Sequence, residues 1–237
     1  MLRTAALGFL DDVAFYADMI DAVRHDATIL AADSSGVLLR LGSGTYMLAA
    51  AGPEAARTLI ETIDAQDCGE LVVHDDEAVA LAQAHLGFPR AVPCLSAAYL
   101  GPARPCEPRP DLRVSPLGAE WAGLVSAHYG TDLVGREYVV ERLAAHAVWG
   151  AFRGDELVGF IGLHPEGAMG MLEVVPAYRR QGIAAHLLAG LTNRQLARGR
   201  LPYDHIIVGN VASEALQRKL GFTISTRRLT WVTPARS

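Results

Sequence analysis

Arg179-Arg180-Gln181-Gly182, followed by Ile183, Ala184 and Ala185, is the stretch whose residue types point most directly to chemistry. Guanidinium groups pair with phosphate oxygens through parallel N–H donors. Gly182 has no side chain, so backbone there can come close to a ligand. Ala184 is small and leaves the same approach open. A helix starting at this point would present unpaired N–H groups and partial positive charge. Basic turn, glycine and helix start together make a cradle for a diphosphate.

The flanking residues supply the elements that such a cradle needs. Met169 to Val175 is apolar and rich in strand formers, and Pro176 stops it. Ile183, Leu187, Leu188, Leu191 and Leu196 share one helical face, and Arg194, Arg198 and Gly199 are helix-stop signals.

Arg179 to Ala184 resembles the Arg/Gln-x-x-Gly-x-Gly/Ala signature of the GCN5-related N-acetyltransferases (GNAT), with Val174 and Pro176 matching the strand end before it. Asn210 to Phe222 is similar to that family's next block, an Asn followed by a short helix closing on Leu220-Gly221-Phe222. The element order, with a preceding domain of similar size, also resembles the glycine N-acyltransferase-like branch. The resemblance implies an α/β fold of two GNAT-like domains in tandem, each a mixed, mostly antiparallel sheet flanked by helices. It implies acetyl-CoA as co-substrate and direct transfer of the acetyl group to the amine of a small-molecule or amino-acid-like acceptor. Two alternatives stay open: acetylation of a protein or peptide α-amine, and a non-catalytic acyl-CoA-binding regulatory role.

Acetyl transfer to an amine needs a polarised thioester, an amine that has lost its proton and a thiolate that gains one. Backbone N–H groups from Leu172 to Val174, just ahead of the cradle, are expected to serve the first need. The strand position that carries a Glu or Tyr base in many relatives falls near Ala168, which cannot accept a proton. Glu166, His164 and Glu173 are the substitutes. Strand alternation puts Glu166 in phase with position 168, while Glu173 points the other way unless a bulge intervenes. An imidazole titrates near neutrality, which favours His164. Each has a plain structural reading as well: Glu166 as a solvated turn residue, His164 as a strand-end cap, Glu173 as a paired charge behind the sheet. A water relay would need none of them.

The tyrosine that protonates the thiolate in many relatives is replaced by Gln217, whose amide can hydrogen-bond sulfur but is not a proton source. Tyr203 is another candidate acid, against a plainer role as a packed aromatic. Asn210 is expected to contact the pantetheine arm or to cap a helix, with Ser213 nearby.

The rest of the chain bounds these readings. Its 237 residues are 51% hydrophobic and 20% charged, with a formal net charge of −5. That suits a soluble globular protein and gives no basic nucleic-acid face. No apolar run reaches the about 18 residues needed to span a bilayer, and the start lacks a secretory pattern. A cytoplasmic monomer or homodimer is expected. Cys68, Cys94 and Cys106 lack metal-ligand spacing and the eight histidines are scattered, so no metal site is expected.

In the first half, the periodicity predicts a helix over Phe9–Arg24, strands at Thr28–Ala32, Val37–Leu41 and Thr45–Ala51, and a helix from Pro53 to Ile63. A strand (Leu71–His74), helix (Glu77–Ala84), Leu86-Gly87-Phe88 and strand (Cys94–Leu100) then anticipate the order around Leu220-Gly221-Phe222. Laid on the shared Leu-Gly-Phe, Gln83 falls on Gln217 and Asp76 on Asn210, an internal repeat. The matching junction, Ala50 to Arg57, has no arginine pair and carries Glu54, so this half is expected not to bind coenzyme. Four prolines between Gly101 and Pro110 mark a stiff linker. The expected division is therefore 1–101, a linker at 102–110, and a catalytic domain at 111–237. That domain should open with a strand at Asp111–Ser115 and helices at Pro116–His128 and Arg136–His146, whose connecting loop shapes the acceptor site by resemblance. A hairpin, Trp149–Phe152 with Leu157–His164, should follow.

Overall fold

The computed structural model describes residues 1–103, 109–129 and 135–235. Cys106, most of the proline-rich segment and the middle of the expected acceptor loop lie outside them. The chain runs α1 (Leu2–Phe9), α2 (Ala17–His25), β1 (Thr28–Ala32), β2 (Gly36–Arg40), β3 (Thr45–Ala50), α3 (Pro53–Ile60), β4 (Glu70–Val73), α4 (Val79–Leu86) and β5 (Arg90–Ala98). It continues through β6 (Arg113–Pro116), α5 (Ala122–His128), α6 (Arg136–Ala144), β7 (Val148–Arg153), β8 (Glu156–Leu163), β9 (Met169–Val174) and α7 (Ile183–Ala197). It ends with β10 (Tyr203–Ile207), α8 (Val211–Lys219) and β11 (Thr223–Thr233).

Of the helix expected over Phe9–Arg24 only the part from Ala17 forms, as α2, while α1 lies ahead of it and ends at Phe9. The Asp12 carboxylate accepts the Phe15 N–H at 3.1 Å, a local bond that competes with helix continuation. Elsewhere the predicted elements form, most with ends shifted by a few residues.

Two compact units result: Met1–Leu100 with Tyr203–Ser237, and Gly101–Pro202. The first holds a seven-stranded sheet in the order β1-β2-β3-β4-β11-β5-β10. The two units divide between Leu100 and Gly101 and again between Pro202 and Tyr203. Strand β10 pairs antiparallel with β5, and β11 runs between β4 and β5. Strands β10 and β11 thus complete the first unit's sheet. Strand patterning gives burial and period but not the identity of a partner strand.

The two Leu-Gly-Phe sites are alike in backbone. Phe88 donates its N–H to the Gln83 carbonyl (3.2 Å), and Phe222 donates to that of Gln217 (3.0 Å). Gly87 and Gly221 both take the left-handed conformation, φ +69° and +81°, that ends a helix at small cost only for glycine. The helix starts differ. Asp75 caps a 3-10 turn ahead of α4, whereas Asn210 caps α8 directly by accepting the Ser213 N–H at 3.1 Å.

The first unit also buries an ionic chain. Trp231 Nε1–H donates to His205 Nδ1 at 3.1 Å, which leaves Nε2 as the protonated nitrogen, 3.4 Å from Asp18 Oδ2. His74 Nε2 lies 3.0 Å from Asp18 Oδ1, and His74 Nδ1 lies 3.3 Å from the Leu48 carbonyl. Both partners are hydrogen-bond acceptors. Burial by itself would raise the Asp18 carboxyl. The His74 charge and hydrogen bonds from His205 and His74 outweigh it and hold the group well below the usual carboxylate range.

The second unit is a four-stranded sheet in the order β6-β7-β8-β9, all antiparallel. Val125, Val139 and Leu143 of α5 and α6 pack with Val148, Phe160 and Met171 on one face. On the other, the α7 residues Leu187 and Leu191 line a cavity with Trp149 and Ile161.

Candidate coenzyme and acceptor site

The strand–turn–helix that the sequence singles out is formed by β9, a 3-10 turn at Pro176–Tyr178, and α7. Gly182 is the N-cap of α7 with φ +78°, and Arg180 is also left-handed at φ +64°. A side chain at residue 182 would be strained by that φ. The turn residues Arg179, Arg180, Gln181 and Gly182 are exposed. Ile183 is not: its side chain is 1% exposed, so only its backbone N–H remains for a ligand. Ala184 and Ala185 are half-buried. With α7 fifteen residues long, its open N-terminus carries the full helix dipole.

A brace that sequence reading missed holds this turn. Arg109, assigned to the linker, grips Asp111 through two bonds of 2.9 Å and donates Nη1 to the Gln181 carbonyl at 3.1 Å. Arg153, assigned to a hairpin turn, donates to Gln181 Oε1 and to Asp111 Oδ2, both at 3.1 Å. Its guanidinium also lies 5.4 Å from the Tyr178 ring centre, and the Tyr178 hydroxyl bonds Glu156 at 2.5 Å. Hydrogen bonds from Arg109 are the main reason the Asp111 carboxyl sits far below its ordinary range. Only the number of arginines near the turn was legible beforehand, not their pairing.

The brace should matter for affinity because it covers the Gln181 carbonyl, whose negative end would otherwise lie free beside the anion site. Arg109→Ala is expected to weaken coenzyme A binding about ten-fold, or ~1.4 kcal/mol, in a calorimetric titration. Unchanged affinity would show that the turn holds its shape alone.

Ahead of the turn, β9 is bulged. Gly162 pairs with Gly170 and Phe160 with Glu173, so Ile161 faces both Met171 and Leu172. Met171 has φ +51°, the left-handed geometry of the extra residue. The bulge reverses the alternation. Met169 touches Thr192 of α7, Sδ to Oγ1 4.0 Å, yet Met171 packs with the α5–α6 cluster on the opposite face. Glu173, opposite Phe160, therefore shares the α5–α6 face and is not behind it. Its carboxylate is 3.6 Å from Arg179 Nη2, while Arg179 Nε donates to the Val174 carbonyl at 3.0 Å. Leu172 and Val174 are half-buried beside it.

The other two candidate bases lie in the β8–β9 turn. His164 donates its N–H to the Ala168 carbonyl at 2.9 Å and accepts from Gly167 at 3.0 Å. Its imidazole contacts the Tyr138 hydroxyl of α6 through Nδ1. A Cβ on Gly170 would collide with the far side of the ring, so this glycine makes room for it. Glu166 is only 7% exposed, which replaces the solvated-turn reading.

Asn210 and Gln217 belong to the first unit. Asn210 caps α8, as above. Gln217 is 1% exposed; its Nε2 donates to Asp204 and lies 3.3 Å from Ser213 Oγ. Tyr203 is also buried, on β10. The structure thus brings together the turn, the bulge, His164 and Glu173 in one unit, and gives Asn210 and Gln217 local partners in the other.

Residues 120–222 match the profile of the Acetyltransferase (GNAT) family. Over this segment the chain is similar to GNAT acetyltransferase domains. Solved structures agree on the fold. A putative GNAT acetyltransferase from Novosphingobium aromaticivorans has 20% identity and a TM-score of 0.54, covering 94% of this chain and 97% of its own. A GCN5-related N-acetyltransferase-like protein from Streptococcus suis has 15% identity and a TM-score of 0.56, over 97% and 98%. A Drosophila protein has 18% identity and a TM-score of 0.61, over 84% of this chain and 74% of its own. A search of curated proteins finds no match. The GNAT profile runs from the turn before α5 through α8, so it spans the bulge, the braced turn and the Asn210 block. Among the described residues no group of His, Cys, Asp or Glu could hold a metal ion, and no helix is long and apolar enough to cross a membrane.

Proposed function

We propose that this protein transfers an acetyl group from acetyl-CoA to the amine of a small molecule or amino-acid-like acceptor. The observation that carries the reading is the braced, left-handed turn at Arg179–Gly182 opening onto α7. Its exposed glycine leaves room for a diphosphate, and the helix start and Arg180 supply positive charge. Leu172 lies in the bulge, where its N–H can face a thioester oxygen instead of a ladder partner. His164 is the favoured base. Glu173 already serves Arg179, and Glu166 is buried in the turn. Asn210 is kept as a coenzyme contact on resemblance alone.

In this reading the acceptor ammonium first gives up a proton, and its nitrogen then attacks the acetyl carbonyl carbon. The C–N bond forms, the C–S bond breaks, the nitrogen sheds its second proton, and the departing thiolate takes up one in its place. Gln217 in place of a tyrosine means that its side chain does not supply that proton. A thiol has a low enough pKa to leave as thiolate, so the step does not require a protein acid.

The direct test is thiol release from acetyl-CoA across a panel of amines. Turnover with small amines supports the proposal. Acetylation confined to peptide α-amines would change the acceptor class, and coenzyme binding without turnover would favour a regulatory protein. Within an active enzyme, His164→Asn is expected to lower kcat roughly 100-fold with little change in KM for acetyl-CoA. Glu166→Gln and Glu173→Gln should each lower it less. A larger loss in either glutamate variant would transfer the base assignment.

A further inference from the structure

We infer that Tyr138 is a catalytic residue, acting with His164 as a two-step proton relay on the acceptor amine. This rests on the acetyltransferase reading and extends it to a side chain on α6.

Tyr138 lies in the first turns of α6, whose next residue, Val139, and whose Leu143 are each only 1% exposed. Those anchors fix the helix against the sheet, so the phenol is held in place. The Tyr138 hydroxyl meets His164 Nδ1, and the two ring centres are 5.8 Å apart at 35°. Both residues are half-buried, which leaves them reachable by an acceptor. The opposite edge of the imidazole packs on Gly170. Gly170 directly precedes Met171, where the bulge begins, so the pair stands next to the N–H groups assigned to the thioester. Met171 and Val139 share one cluster, which puts relay and bulge on one face of the sheet.

A phenol alone is a poor base at neutral pH, since its conjugate acid is far too strong. Coupled to an imidazole it need not hold the extra proton. The ammonium passes a proton to Tyr138 Oη while the phenol's own hydrogen moves to His164 Nδ1. The amine is left neutral, the phenol unchanged and the imidazole protonated. The imidazolium then returns its proton to solvent. The tyrosine also brings proton acceptance closer to α6, where its exposed side meets an incoming amine.

The test is a double-mutant cycle in the full chain, using an amine that wild type acetylates. Tyr138→Phe and His164→Asn are each expected to lower kcat by a similar factor, ~30- to 100-fold. The double variant should lose no more than the worse single, because each variant breaks the same relay. KM for acetyl-CoA and calorimetric affinity for coenzyme A should stay at wild-type values in all three, which a merely structural role would not preserve. Unchanged kcat in Tyr138→Phe, or multiplicative losses in the double variant, would overturn the relay while leaving acetyl transfer intact. Wild type that turns over no amine would overturn both.

Discussion

Gly182→Val should reduce affinity for coenzyme A by at least roughly 100-fold, about 2.7 kcal/mol. Two effects act together. Gly182 sits at φ +78°, where a β-branched residue is strained by about 1–2 kcal/mol. The turn would then relax toward a conformation in which the α7 N–H groups no longer converge. In addition, a Cβ at this position would point toward Arg109 Nη1, 3.5 Å away, and the valine methyl groups would crowd the brace. Gly182→Ala should show a smaller loss, since its Cβ meets Arg109 at ordinary contact distance. The strain should lower the melting temperature modestly, so affinity must be read below the transition of the variant. Calorimetric titration of wild type, Ala and Val would settle the order. Equal affinities would remove this helix start as the anion site.

The second large effect concerns two aspartates with opposite responses, Asp18 buried and Asp204 half-buried. Asp204 is pushed up to about 6, first by burial, with His205 and Gln217 pulling the other way. For an acid with a raised folded pKa, stability is fully present below the unfolded value of 3.8 and is lost as pH rises through about 6. Above that, the ionised form costs up to roughly 3 kcal/mol. Asp204→Asn keeps an oxygen for the Gln217 amide and should therefore stabilise the protein near pH 8, with little effect near pH 4. Asp18 has the reverse sign. Its folded pKa is depressed, so its contribution is present above the ordinary carboxylate value and disappears as pH falls below it. Asp18→Asn should destabilise by roughly 3 kcal/mol at neutral pH, because one amide oxygen cannot serve both imidazoles and its NH2 would oppose the other ring's N–H. Urea melts of both variants from pH 3 to 8 provide the check. A stabilised Asp18→Asn or a destabilised Asp204→Asn at pH 8 would contradict these assignments.

The turn was the most legible part of the site because its properties are local. Arg179 to Gly182 announces charge and backbone freedom through residue type, and the helix face after it is regular. Most of the strands were readable for the same reason. What stayed hidden depends on distant partners. Arg109 and Gln181 are 72 residues apart, and nothing near either one signals the other. The bulge has no marker at Met171, a residue that rarely takes positive φ, so simple alternation assigned Glu173 to the wrong face. Glu166 follows Pro165 and precedes Gly167, a pattern typical of exposed turns, yet the turn folds inward. The partner strands of β10 and β11 were likewise beyond reach, since apolar alternation fits any neighbour.

That last feature bears on how the polypeptide comes off the ribosome. Strand β11 lies between β4 and β5, so the first hundred residues lack the centre of their own sheet until Thr223–Thr233 has emerged. During synthesis, β4 and β5 must each wait with an unpaired edge, a state prone to sticking to other nascent chains. A gene shortened before residue 223 would therefore yield aggregate rather than a free-standing amino-terminal half.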